Sequence, residues 1–184
     1  LTVTALASTV LLPLVQRQQN ALDILSAGLY VSNWRFAAEA TDYLAAESAP
    51  SVVLHFWSLG IEEQFYVLWP LLIVVALFVL RGTRRSGEVH RYLGWTIAGV
   101  AGVSLLAGVA LTATDQPLAF FGTGTRVWEL AAGAVVAVIG RHVVAVPHVA
   151  RAVLAWSGLL LVGWAVLRLD DATPYPGWAA LVPV

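Results

Sequence analysis

The 184-residue chain contains no cysteine, and only 11% of its residues are charged. The first absence excludes a disulfide framework, a thiolate metal site and a cysteine nucleophile. The second excludes a water-facing globule. Soluble domains carry about 25% charged residues, whereas here 59% of positions are hydrophobic and the mean hydropathy is +0.80. Too little polar surface exists to cover a globule, so membrane lipid is the expected solvent and partner for much of the chain. There is no basic stripe to meet a phosphate backbone, which leaves nucleic-acid binding without support. No HExxH-type pairing occurs, and His55 stands two helical turns from Glu62, so no metal centre is expected. No repeat of fixed period is present.

What is there are long apolar runs. A helix needs about 20 largely apolar residues to cross the hydrocarbon core. Residues 54–80, 93–112, 120–140 and 149–167 fit, and 1–15 reads as the tail of another span. Residues 20–36, with Asp23 and Asn33 near the ends, suit either a short span or an interfacial helix. The expected fold class is all-α: a polytopic transmembrane helix bundle with about five to six membrane helices in this chain. The chain opens on Leu1 inside an apolar run with no charged leader region, and 178–184 reads as the start of a further apolar segment. Both features suit an internal fragment of a longer protein rather than a signal peptide at the start.

Orientation follows from the connectors. Residues 81–92 hold Arg81, Arg84, Arg85 and Arg91 against Glu88, and 141–151 hold Arg141 and Arg151 with His142 and His148. The alternate connectors are acidic: Glu39, Asp42 and Glu47, then Asp115, then Asp170 and Asp171. The positive-inside rule places 81–92 and 141–151 in the cytoplasm of a multi-pass cell-membrane protein.

Charges enter two of the apolar runs. Glu62 and Glu63 lie in HFWSLGIEEQFY (55–66), and Arg126 and Glu129 in TGTRVWEL (123–130). A charge at the centre of a span costs on the order of 2.5–3.5 kcal/mol, so such residues are expected to have partners or a task. Glu62 is roughly 12 Å along the span from Leu54, and Arg126 roughly 9 Å from Phe120, at 1.5 Å per residue. Similar depths allow the two to pair across a helix interface. Arg126 and Glu129 are also i,i+3 neighbours. His55, Ser58 and Glu62 share one face of their helix, while Glu63 points about 100° away toward Leu59 and Tyr66. A buried Arg–Glu pair can simply lock two helices together. Two adjacent carboxylates beside Gln64 suit a lock less well, because each brings a like-charged neighbour.

The run at 55–66, followed by Trp69-Pro70, resembles the signature of the acyltransferase-3 family of membrane O-acyltransferases. So do YVSNW at 30–34, TRVWEL at 125–130 and YPGW at 175–178. The four matches are in order and extend over most of the chain. The resemblance implies a full domain of about ten helices, of which residues 1–184 form the middle-to-late part, truncated at both ends and packed against the domain's remaining helices. It also implies transfer of an acyl group, commonly acetyl, from cytoplasmic acyl-CoA to a hydroxyl of an extracytoplasmic cell-envelope glycan, with no bound cofactor. The family's catalytic histidine belongs to an upstream span, and none of His55, His90, His142 or His148 matches its motif. The fragment alone is therefore expected to be inactive.

Thioester attack by a hydroxyl needs a base, oxyanion stabilisation and a water-poor path. On the resemblance, Glu62, Glu63, Arg126 and Glu129 are the catalytic candidates, and His55, Trp57, Ser58, Tyr66, Asn33 and Trp128 the substrate-binding ones. Arg126 would bind negative charge on the intermediate or on the donor's phosphates. Glu62 or Glu63 would orient the upstream histidine or hold a sugar hydroxyl. Two other readings stay open: a secondary transporter or flippase core with an intramembrane Arg/Glu pathway, and an assembly subunit whose ion pair only fixes packing.

Overall fold

A computed structural model describes residues 1–41, 50–79, 86–143, 146–170 and 172–184, and these are helical with no strand among them. The order is α1 (Thr2–Leu11), α2 (Leu14–Gly28), α3 (Ser32–Thr41), α4 (Phe56–Val79), α5 (Ser86–Thr114), α6 (Gln116–Phe121), α7 (Thr123–Val143) and α8 (His148–Arg168), closed by a 3₁₀ turn at Trp178–Leu181.

Among the described residues three helices are long and apolar enough to cross a membrane: Phe56–Val79, Arg91–Thr114 and His148–Arg168. The expectation of five to six spans is not confirmed among the described residues, where local chemistry breaks several of the apolar runs. Pro13 caps the start of α2 and separates it from α1, because proline lacks the N–H that a helix interior needs. The ambiguous segment 20–36 is two helices rather than one, broken where Tyr30 takes a left-handed φ of 57°, a conformation few non-glycine residues adopt. The run 120–140 is cut at Gly122. Asp115 caps α6 by accepting from the Leu118 N–H at 3.0 Å, and a Cβ on Gly122 would sit 2.5 Å from the Leu118 carbonyl oxygen. Arg126 and Glu129 consequently fall in the first two turns of α7. Much of the basic connectors (81–85 and 144–145) lies outside the described residues, as do Asp42, Glu47 and Asp171.

Small residues bring the helices together, as they do in membrane bundles. α5 crosses α7 where a Cβ on Gly108 would lie 3.0 Å from the Thr125 carbonyl, and buried Ser104 accepts from the Trp128 N–H at 3.1 Å. α3 meets α4 at Gly60, where a Cβ would lie 3.2 Å from the Tyr30 carbonyl oxygen and 3.3 Å from Asn33 Oδ1. α2 and α3 are joined by Arg35, which reaches buried Asp23 at 2.6 Å and also pairs with Glu39. Burial, followed by the charge of Asp23, raises the Glu39 carboxyl above its ordinary value, while Arg35 opposes the rise. α8 buries only Ala165, and its leucines and valines face outward.

Candidate functional site

Both α4 and α7 begin at the end of the bundle where α5 finishes, so their first turns collect there with α6 and the loop at 172–177. That loop is fixed to α5: the Gly177 N–H donates to Thr112 Oγ1 at 2.9 Å. Gly177 has φ 34°, and a Cβ there would meet the Pro174 carbonyl oxygen at 3.0 Å. The Tyr175–Pro176 peptide is cis. The result holds Tyr175 over the α6–α7 corner.

Trp57 and Gln64, two turns apart on one face of α4, clasp that corner. At the Gln64 end, three side chains use one another up. Asn33 is fully buried; its Nδ2 donates to the Phe121 carbonyl and to Thr123 Oγ1, both at 3.0 Å. Gln64 Nε2 donates to Asn33 Oδ1 at 2.9 Å and to the Tyr30 carbonyl at 2.7 Å. Gln64 Oε1 accepts from Trp34 Nε1 at 3.2 Å and from the Thr123 hydroxyl. The left-handed turn at Tyr30 is what aims its carbonyl at Gln64.

At the Trp57 end sits Arg126, its side chain only 12% exposed. Its guanidinium carbon lies 5.6 Å from the Trp57 ring centre, 5.6 Å from Phe120 and 5.2 Å from Tyr175. Trp57 also packs on Phe120 at 4.8 Å and edge-on to Phe121 at 5.4 Å. Cations are drawn to ring faces at such distances. Arg126 Nη1 is 3.1 Å from Glu129 Oε1, yet neither buried atom has an aligned hydrogen bond among the described residues. The cation is enclosed and ion-paired, while its Nη1 lacks an aligned hydrogen bond among the described residues.

Similar depth made an Arg126–Glu62 pair possible from sequence; among the described residues the ion pair is instead with Glu129 on the same helix. Helical side chains lean toward the N-terminus of their helix, so the guanidinium turns back to Phe120 and Trp57, more than a turn of α4 above Glu62. The buried face of α4 is Gly60, Ile61 and Phe65. Among the described residues Glu62 is exposed and Glu63 is half-buried. His55, Ser58 and Tyr66 are exposed as well, whereas Trp128 is buried against α5. The sequence reading thus brings Trp57, Arg126 and Glu129 into one place, with Asn33 in the neighbouring polar knot. It leaves out Phe120, Tyr175, Gln64 and Thr123 as site members. The signals for these were the Phe-Phe-Gly break at 120–122 and the YPGW match at 175–178.

Comparison with known proteins gives several relatives. A putative peptidoglycan O-acetyltransferase of Bacillus subtilis, YrhL, is 32% identical over 117 residues, covering 64% of this chain and 18% of its own length. The peptidoglycan O-acetyltransferase OatA of Listeria monocytogenes is 31% identical over 146 residues, 75% of this chain and 22% of its own length. A putative O-acetyltransferase of Staphylococcus aureus is 31% identical over 115 residues, 62% of this chain and 18% of its own. The chain spans about a fifth of the length of these curated relatives. No family model and no solved structure matches it.

Proposed function

We propose, for a chain that is an acyltransferase-3-like relative of the peptidoglycan O-acetyltransferases, that the whole protein transfers an acetyl group from cytoplasmic acyl-CoA to a hydroxyl of a cell-envelope glycan. The observation that carries this reading to particular residues is the enclosed guanidinium of Arg126, paired with Glu129 and ringed by aromatics but without an aligned hydrogen bond at its buried Nη1. In the reaction the acceptor oxygen bonds to the thioester carbon, the hydroxyl proton passes to a general base, and the carbon–sulfur bond breaks to release the CoA thiol. Negative charge collects on the carbonyl oxygen on the way. A cation already desolvated and fixed stabilises such charge without having to reorganise. Glu129 holds the guanidinium in register and supplies the counter-charge in the resting state. The general base is assigned to a histidine on a helix outside this chain.

Basic connectors in the cytoplasm would turn the Trp57–Arg126–Tyr175 end outward, toward the glycan. The donor would then reach Arg126 from the opposite side of the membrane. The full-length protein is expected to restore alkali-labile acetate esters to the envelope glycan of a strain lacking its own O-acetyltransferase. The Arg126→Ala variant, present in the membrane at comparable level, is expected not to do so. Wild-type protein that leaves the glycan unacetylated would overturn the reading.

A further inference from the structure

On the other side of Phe120 and Tyr175 from α7 lies an open cavity of about 550 Å³, walled by those two rings, Gln116, Asp170 and Thr173, with Val166 of α8 opposite. Small-molecule sites occupy roughly 300–1,000 Å³ and combine apolar walls with a few placed polar groups. Gln116 Nε2 is directed to the Tyr175 carbonyl at 3.4 Å, while its Oε1 has no hydrogen bond among the described residues. Asp170 Oδ1 accepts from the Ala172 N–H at 3.2 Å and from Thr173 Oγ1 at 2.9 Å; its Oδ2 likewise has no partner among the described residues. The wall therefore offers two unspent acceptors beside two aromatic rings. Among the described residues no lysine or arginine lines the cavity, and a carboxylate does, which disfavours phosphate or any other anion.

We propose that this cavity is a subsite for a neutral sugar ring of the acceptor glycan. Sugar hydroxyls donate to Gln116 Oε1 and Asp170 Oδ2, and the C–H surfaces of the ring lie against Phe120, Tyr175 and the α8 wall. The two rings are shared with the Arg126 cage, so a sugar seated here stands one aromatic layer from the guanidinium. The inference rests on the O-acetyltransfer reading for its biological sense, but its physical content is binding, which can be measured without turnover.

The test uses the full-length protein in detergent and a β-1,4-linked N-acetylglucosamine trimer, with binding followed by calorimetry or saturation-transfer NMR. Gln116→Leu removes an acceptor from an exposed side chain and is expected to weaken binding roughly five- to tenfold, the effect of one lost hydrogen bond. Val166→Trp fills the cavity from the apolar side and is expected to abolish binding, with an unchanged size-exclusion profile as the check on folding. No binding to wild type, or undiminished binding to both variants, overturns the subsite. Displacement of the trimer by short-chain phosphatidylglycerol also overturns it, marking the cavity as a lipid site. Binding with the expected variant effects but no acetyl transfer under any donor would overturn the enzymatic reading and leave the sugar site standing.

Discussion

Two polar groupings lie within a few turns of each other where α4 meets the α6–α7 corner, and they are built in opposite ways. In the Asn33–Gln64–Thr123 knot every amide donor and acceptor is used, and each bond ties one helix to another or to the turn at Tyr30. Around Arg126 the surroundings are three aromatic rings and a poorly aligned carboxylate. Rings attract a cation but leave its N–H groups without acceptors. A network with no free capacity can only hold the fold together, whereas a desolvated cation with capacity left over can bind something more. Buried, unsatisfied polar atoms are rare enough in folded proteins to require a reason. At Arg126 the proposed chemistry supplies one.

The largest effect should come from breaking the Arg126 side of this comparison. Arg126→Ala in the full-length protein is expected to lower acetyl transfer about 100- to 1,000-fold, the range for removal of one oxyanion donor, with membrane protein near the wild-type level. Arg126→Lys is expected to recover little, since an ammonium lacks the planar fork that rings and carboxylate hold. The readout is glycan-bound acetate per amount of membrane protein. Activity falling only in step with protein level would make the cage a lock like its neighbour.

The knot should respond the other way. Asn33→Leu or Gln64→Leu leaves several buried groups without partners, each costing about 1–3 kcal/mol. Folded protein in the membrane is expected to fall several-fold, measured by fluorescence-detected size exclusion, and activity to fall in proportion. Full protein levels with lost activity would return Asn33 to the substrate-binding role that the family resemblance implied.

A smaller effect tests the close approach on which the knot depends. Gly60→Ala puts a methyl 3.2 Å from the Tyr30 carbonyl oxygen and is expected to destabilise by about 1–2 kcal/mol, as overpacking does. Gly99→Ala, with nothing within 4 Å of the added carbon, is the paired control and should be neutral or slightly stabilising in a thermal unfolding scan.

The helical class and the membrane setting were legible because both follow from composition and from runs of a length set by the bilayer. Charge placement was legible too: Arg126 and Glu129 stand out in any apolar run. The helix breaks were harder. Gly122 and Tyr30 interrupt runs whose hydropathy is continuous, and hydropathy carries no information about a Cβ clash or a left-handed turn. Nor could depth counting find the cage. It locates a Cα along the helix, while an arginine side chain is long enough to place its charge a turn away. Tyr175 reaches the site only because the Gly177 turn and Thr112 fix its loop, a tertiary fact with no local signature. The same holds for the carboxylates of α4, where the face that Glu62 shares with His55 and Ser58 does not say which side packs inward. The inward face instead follows Gly60, because the closest helix approach is made where there is no side chain.

The smallest effect on stability, and the sharpest question, therefore concerns Glu62 and Glu63. Neither has a partner to lose among the described residues, so Glu62→Gln and Glu63→Gln are each expected to change folding stability by no more than about 0.5 kcal/mol, as at exposed positions away from special features. Yet Glu62 lies within a helix of membrane-spanning length and apolarity, where a carboxylate facing lipid costs on the order of 2.5–3.5 kcal/mol at the centre of a span. Such a charge is kept where it faces a partner or a wet cavity, and the described residues supply no partner. Glu62→Gln is accordingly expected to lose acetyl transfer at an undiminished protein level, because a charged or hydrogen-donating partner would lose its full counter-charge. Glu63, half-buried and about 100° away on the helix, should keep most of its activity as Gln. The measurement is glycan acetate normalised to membrane protein for the two variants side by side. Equal activity in both, at or near wild type, would sink the idea that α4 presents a catalytic carboxylate, and would leave the chemistry in this region to Arg126 and its cage.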